Sequence, residues 1–157
     1  MKFSPDGARV AYTVTNHDRP GRPYSQVWVL TVADGKAVRL GEAQEGSGGP
    51  EWSPDGQWIA YSGKVGEKSG LSVARPDRSG ARFLAEMKGT NSPLPSTGKR
   101  VAWSPDSKRL AFVSAVPGPE TEEATGDPIV ITRYLYKPDD SEGLSHFNDN
   151  RRLKIFL

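Results

Sequence analysis

No cysteine occurs in the 157 residues, which excludes disulfides, thiolate zinc sites and a cysteine nucleophile. Histidine is nearly as scarce. His17 and His146 stand in separate polar stretches, and two histidines do not make a metal site. Long apolar runs are missing as well: mean hydropathy is −0.60, which argues against a long buried helix or a membrane-spanning segment. Neither sign of charge is in excess. Lys+Arg 21 against Asp+Glu 19 leaves +2, no footprint of nucleic-acid binding, despite a sequence pI near 8.9. No G-x-S-x-G nucleophile elbow is present, and Gly46-Ser47-Gly48-Gly49 has the wrong spacing for one. Two stretches fall short of a phosphate loop. In Gly63–Ser69 the lysine before the serine, Lys68, follows Glu67 rather than a glycine, and Gly98-Lys99 is followed by Arg100, with Pro93 where the first glycine would stand. No catalytic residue, metal or cofactor is therefore expected in this chain.

What the chain has in quantity is turn residues, Gly 17 and Pro 13, and they are not scattered. One phrase is written three times: Phe3-Ser4-Pro5-Asp6-Gly7, Trp52-Ser53-Pro54-Asp55-Gly56 and Trp103-Ser104-Pro105-Asp106-Ser107. The aromatics recur at intervals of 49 and 51 residues, a period typical of propeller blades. Proline presets φ for a type I turn, Ser and Asp side chains bond nearby backbone N–H groups, and glycine takes the left-handed position. The phrase is a tight hairpin turn behind a strand anchored by an aromatic ring.

After each turn comes an apolar strand: Val10-Ala11-Tyr12, Ile59-Ala60-Tyr61 and Leu110-Ala111-Phe112. Large and small residues alternate there, as in a strand buried on both faces with unequal room on each. A second hairpin follows, in which Val27 to Leu40 aligns without gaps to Leu71 to Leu84. One repeat reads strand A, tight turn, strand B, loop, strand C, turn, strand D. The expected fold is all-β, blades of four antiparallel strands in an incomplete propeller of about two and a half blades. The repeats fall at 1–45, 46–96 and 97–157, with an insertion over 114–152 in the third.

The A–B and C–D connections keep their lengths between copies, whereas B–C and D–A vary. In an up-and-down sheet, those two sets lie at opposite ends, so all the variation falls on one face, where loops on a rigid scaffold carry binding. The insertion adds an acidic, proline-containing stretch from Ala115 to Ile129, then Ile129–Tyr136 with strong strand propensity. Leu153–Leu157 matches strand C. Strand A of the first repeat is short and strand D of the third is missing, so a fragment of a longer protein is expected. Its unpaired edges and apolar inter-blade surface are expected to make the isolated chain self-associate.

Asp6, Asp55 and Asp106 sit in equivalent turns of different repeats, which favours turn structure over a catalytic set. Trp28 and Trp58 read as blade packing rather than a stacking platform. Glu122 and Glu123 offer a site for a peptide ammonium group, although a solvated acidic loop is the plainer reading. Arg133 offers a carboxylate anchor, although a structural ion pair is the plainer reading. Tyr134 and Tyr136 follow it in the same candidate substrate-side loop.

The three turns and their apolar strands resemble the repeats of PD-type propellers, relatives of WD repeats. These occur in the Tol-system propeller and in the N-terminal domain of the prolyl oligopeptidase family. The segment Asp127-Pro128-Ile129-Val130-Ile131-Thr132-Arg133-Tyr134-Leu135-Tyr136-Lys137 is similar to acylaminoacyl-peptidase and dipeptidyl-aminopeptidase propellers. It departs from them at Pro138–Gly143, where the first glycine of the turn is missing. The resemblance implies a non-catalytic propeller that gates short peptides to an α/β-hydrolase domain elsewhere in the parent chain, which would carry the Ser-Asp-His triad. Expected partners are that domain and peptide substrates, with neither nucleic acid nor membrane, and the expected compartment is the cytoplasm. The alternative is a protein-interaction propeller of the Tol type, which would be periplasmic.

Overall fold

The computed structural model describes residues 1–89, 99–118 and 151–157, and every regular element among them is a β-strand. Strands β1 (Lys2–Phe3), β2 (Arg9–Asn16), β3 (Tyr24–Thr31) and β4 (Ala37–Leu40) form an antiparallel sheet in sequence order. A second sheet repeats the order with β5 (Gly48–Trp52), β6 (Ile59–Val65), β7 (Lys68–Ala74) and β8 (Arg82–Ala85). The third has β9 (Val101–Trp103), β10 (Leu110–Pro117) and β11 (Arg151–Phe156) in the order β11-β10-β9. These are propeller blades, and among the described residues two have four strands and one has three. Chain order and pairing order coincide because each strand returns through a hairpin or short loop to the edge it has just left.

The second sheet is packed between the other two, and its alternating strand divides the core. Ile59 and Tyr61 on β6 point to the first sheet, where they meet Val27, Val29 and Leu40. Ala60 points the other way and joins Leu71, Val73 and Val101, with Trp58, Trp103 and Phe112 around them. The small residue thus faces the following blade and the large ones face the preceding blade. Tyr61, Ile59, Leu71, Val27 and Val29 are fully buried, each worth about 1.5–3 kcal/mol of transfer free energy. On β10 the matching residues are only half-buried, since one of the two faces has no described sheet against it.

Two boundaries differ from the sequence reading. Strand β10 runs to Pro117 and β11 begins at Arg151, with Ser114 opposite Lys154 and Ala115 opposite Leu153. The insertion is therefore narrower than 114–152, and Ala115–Pro117 are strand rather than the start of an acidic loop. The second strand of each sheet continues well past its apolar triplet, to Asn16, Val65 and Pro117, where side chains turn polar and periodicity fades. The segments read as Ile129–Tyr136 and most of the insertion lie outside the described residues.

The gapless match of the two C–D hairpins also fails at its last residue. Leu40 pairs Val27 and is 0% exposed, but Leu71 pairs Ala85, leaving Leu84 as an extra residue at 40% exposure. Such a bulge bends its strand, and here it carries Ala85 and Glu86 across Gly70. A Cβ on Gly70 would collide with the Ala85 carbonyl oxygen and stand 3.1 Å from the Glu86 Cα. The first sheet has Gln26 at that position, buried, with Nε2 donating to the Ala43 carbonyl at 2.7 Å.

Backbone cannot move aside as a side-chain tip can, so Gly70→Ala is expected to cost about 1–3 kcal/mol, as other overpacking substitutions do. The same change at Gly48, where an added Cβ meets nothing within 4 Å, should alter stability by no more than about 0.5 kcal/mol. Urea denaturation of both variants checks the pair, and equal losses would refute the close approach.

Candidate functional site

Two ends of the sheets compete for the site, and the repeated turns form one of them. In each turn an N–H three residues on closes onto the serine carbonyl at 2.9 Å, Gly7 to Ser4, Gly56 to Ser53 and Ser107 to Ser104. The serine hydroxyl donates to the aspartate, at 2.6 Å for Ser4–Asp6 and 2.5 Å for Ser53–Asp55 and Ser104–Asp106. The same Oγ accepts the N–H of the residue at or just before the start of the next strand, Arg9, Trp58 or Arg109, at 2.9 Å. Each aspartate also accepts the N–H two residues on, from Ala8, Gln57 or Lys108. These bonds, the serine hydroxyl foremost and the backbone N–H next, hold all three carboxyls below their usual range. The fifth position is left-handed, with φ 70° at Gly7, 69° at Gly56 and 59° at Ser107. Ser107 tolerates that strain while its Oγ accepts the Asp55 N–H at 3.0 Å, and Gly56 packs on Pro5. Phe3, Pro5, Asp6 and Gly7, with their counterparts Trp52, Pro54, Asp55, Gly56, Trp103, Pro105 and Asp106, thus lie along one rim. Each aspartate is engaged by its own turn.

The strands feeding these turns are linked directly. Trp52 Nε1 donates to the Lys2 carbonyl at 3.1 Å, and Trp103 Nε1 donates to the Glu51 carbonyl at 3.0 Å. Each acceptor immediately precedes the motif aromatic of the sheet before, so β1, β5 and β9 are stapled in series. Side chains reinforce the series: Glu51, at 15% exposure, pairs with Lys2 from the first sheet and lies 3.7 Å from Lys99 Nζ beside the third.

The opposite end is built differently. There the start of β3 meets the β4–β5 connection through Ser47 N–H to the Ser25 carbonyl at 2.7 Å, and Arg19 of the β2–β3 loop reaches the Gln44 carbonyl at 2.7 Å. Between the second and third sheets this end opens into a pocket of about 530 Å³, within the roughly 300–1,000 Å³ range of small-molecule sites. Gly46, Gly48 and Gly49 line it together with Met87, Arg100 and Val101. Ser62, Gly63, Ser69 and Gly70 of β6 and β7 and Glu51 of β5 complete the lining. Gly63 is required here because a Cβ would stand 2.9 Å from the Tyr61 ring. Burial pushes the Tyr61 hydroxyl up from its ordinary value.

Glu122, Glu123, Arg133, Tyr134 and Tyr136 lie outside the described residues, as does His146. His17 is exposed in the β2–β3 loop. Trp28 is half-buried under the Arg39 guanidinium, 5.6 Å away, and Trp58 is flanked by Arg75 at 5.3 Å and Arg82 at 5.1 Å. Trp58 packs on the core between the second and third sheets. Among the described residues no group of three or more His, Asp or Glu is placed to hold a metal ion. Sequence reasoning missed Glu51, Arg100 and the pocket's glycines. The available signal was glycine density, at Gly46–Gly49 and at Gly63 and Gly70, flanking the shortest B–C hairpin.

Two expectations follow from the turn rim and the staples. Trp103→Phe keeps the ring but removes the donor to Glu51, and should cost about 1–2 kcal/mol in urea denaturation. Phe3→Trp, at an exposed ring, should stay within about 0.5 kcal/mol. Comparable losses in both would show that the indole bond contributes nothing. The depressed carboxyls of Asp6, Asp55 and Asp106 stabilise the fold above the ordinary aspartate pKa of 3.8, and that stability is lost as pH falls through their lower folded values. Asp55→Asn, which retains an acceptor without the charge, should flatten the decline in stability between pH 5 and pH 2.5 (about the span in which such carboxyls protonate). An unchanged slope would rule out this origin.

No family model matches the chain. It is 29% identical over 156 residues to the uncharacterized peptidase YuxL of Bacillus subtilis (strain 168), covering 97% of this chain and 22% of that protein. Acylaminoacyl peptidase of Pyrococcus horikoshii superposes with TM-score 0.59 at 21% identity, over 94% of this chain and 21% of that one. An acylaminoacyl peptidase structure with Z-Gly-Gly-Phe-chloromethyl ketone gives 0.59 at 19% identity, over the same shares. A structure named for TolB of Agrobacterium tumefaciens gives 0.51 at 23% identity, over 71% of this chain and 36% of that one. The chain spans about a fifth of the length of the peptidases it matches. In sequence it is similar to a peptidase, and in fold it is a run of propeller blades like those of acylaminoacyl peptidase and TolB, the propellers its repeated turns resemble.

Proposed function

We propose that this chain is a substrate-gating part of an acylaminoacyl-peptidase-like serine peptidase that acts on short peptides, and that it is itself non-catalytic. One observation carries the reading: the similarity to a peptidase runs through 97% of the chain, so it is not confined to the turn phrase that many propellers share. The chain's chemistry supports the division of labour, since it has no nucleophile elbow and its turn aspartates are engaged by their own backbone. An α/β-hydrolase domain of the same polypeptide supplies the nucleophile, and the end bearing the variable connections faces it. Loops of unequal length over a rigid rim then set which peptides pass. In this reading the compartment is the cytoplasm.

The test uses a fluorophosphonate probe and an acylaminoacyl p-nitroanilide. The 157-residue chain alone should take up no label and show no turnover. A longer product of the same reading frame should be labelled on a serine outside this chain and hydrolyse the acyl substrate. An unlabelled, inactive longer product that instead retains a specific protein partner would replace this reading with the Tol-type one.

A further inference from the structure

We infer that the pocket between the second and third sheets binds the carboxyl end of a short peptide, with Arg100 as the carboxylate partner. The electrostatics come first. Two charged side chains line the cavity, Glu51 and Arg100. Glu51 is already paired with Lys2 and approached by Lys99, so its charge is answered from the scaffold. Arg100 is exposed and has no carboxylate partner among the described residues. The charge left to a ligand is positive, and a planar guanidinium fits a carboxylate through two parallel N–H donors.

The rest of the lining selects the kind of carboxylate. Ser62 on β6 stands opposite Leu71 and Ser69 on β7 opposite Lys64, on the face turned toward the third sheet, and both add hydroxyl donors to the pocket lining. Met87 and Val101 supply an apolar patch for a side chain. Gly48 leaves open space where any other residue would project, since an added Cβ there meets nothing within 4 Å. An extended chain of two or three residues fits such a slot, its terminal carboxylate at Arg100 and its backbone along the glycine side. Its ammonium end has no free anion to meet, because Glu51 is taken. The site names a ligand for the peptide-handling end proposed above and rests on that reading only for its role. Its test measures binding without hydrolysis, so either can fail while the other stands.

Titration of the protein with Gly-Gly-Leu, followed by heteronuclear NMR, should shift the amides of Ser62, Ser69 and Arg100 together. The C-terminal amide of the same peptide should bind about tenfold or more weakly, as for loss of a charge-assisted pair, while N-acetylation should change affinity by less than about threefold. Arg100→Gln should reproduce the amide's loss on the free acid. Gly48→Val, which fills the slot without altering charge, should abolish binding while leaving the thermal midpoint unchanged. Equal affinity for acid and amide overturns the assignment, as does a larger loss on N-acetylation than on amidation. Acetate binding as tightly as the tripeptide, or full binding by Gly48→Val, would reduce the pocket to a surface cation and overturn it too.

Discussion

The first strand of each sheet has, among the described residues, one edge that no neighbouring strand pairs, and everything else depends on how that edge is satisfied. Strands β1, β5 and β9 all occupy that edge position. A buried carbonyl left without a donor costs about 1–3 kcal/mol, and a long bare edge invites pairing with another chain. The indole of the following sheet supplies a donor at the same place each time, from Trp52 to Lys2 and from Trp103 to Glu51. Because donor and acceptor keep the same position within the repeat, successive sheets are set at the same offset. That offset lets Ile59 and Tyr61 meet Val27, Val29 and Leu40 on one side while Ala60, with Leu71 and Val73 of its own sheet, meets Val101 on the other. The aromatic of the turn phrase is thus a link between repeats as much as an anchor within one.

The two ends of the sheets differ in where their polar groups are spent. At the turn rim the serine, the aspartate and the backbone satisfy one another within six residues, so little remains to meet a ligand. At the other end the solutions are improvised. Gln26 caps the first connection through Ala43, whereas in the second sheet Gly70 lets the bulged strand pass overhead. Arg19 and Ser47 tie further carbonyls individually. Solutions made one at a time can be changed one at a time, which is why connections of different lengths are tolerated there. It is also where the cleft between sheets opens.

What the sequence made legible followed locality. The turn chemistry, the strand after it and the C–D hairpin each depend on residues within about a dozen positions of one another, and propensity acts at that range. Leu84 misled because a bulge changes pairing without changing spacing: Leu40 and Leu84 are equivalent by count and opposite in burial. The extent of β10 was underestimated because its apolar signal stops before its hydrogen bonding does. The staples and the pocket were invisible for a different reason. Trp103 and Glu51 are some fifty residues apart, as are Lys2 and Glu51, and no local rule joins them. The residues singled out in the insertion, from Glu122 to Tyr136, lie outside the described part of the chain.

Glu51 ties these threads together. Its carbonyl accepts the staple from Trp103, and its carboxylate, at 15% exposure, is paired with Lys2 and lies near Lys99. A carboxylate so far withdrawn from water needs its charge answered, and the answer comes from the inner strand of the sheet before and from the approach to the sheet after. One residue therefore joins three sheets while lining the pocket between two of them. If either lysine were removed, the carboxylate would lose part of its compensation and the cleft would become more negative at its inner edge. The field of the pocket is for that reason a property of the scaffold. Its loops are free to vary in length, but the charge at its base is coupled to the stability of β1 and β5.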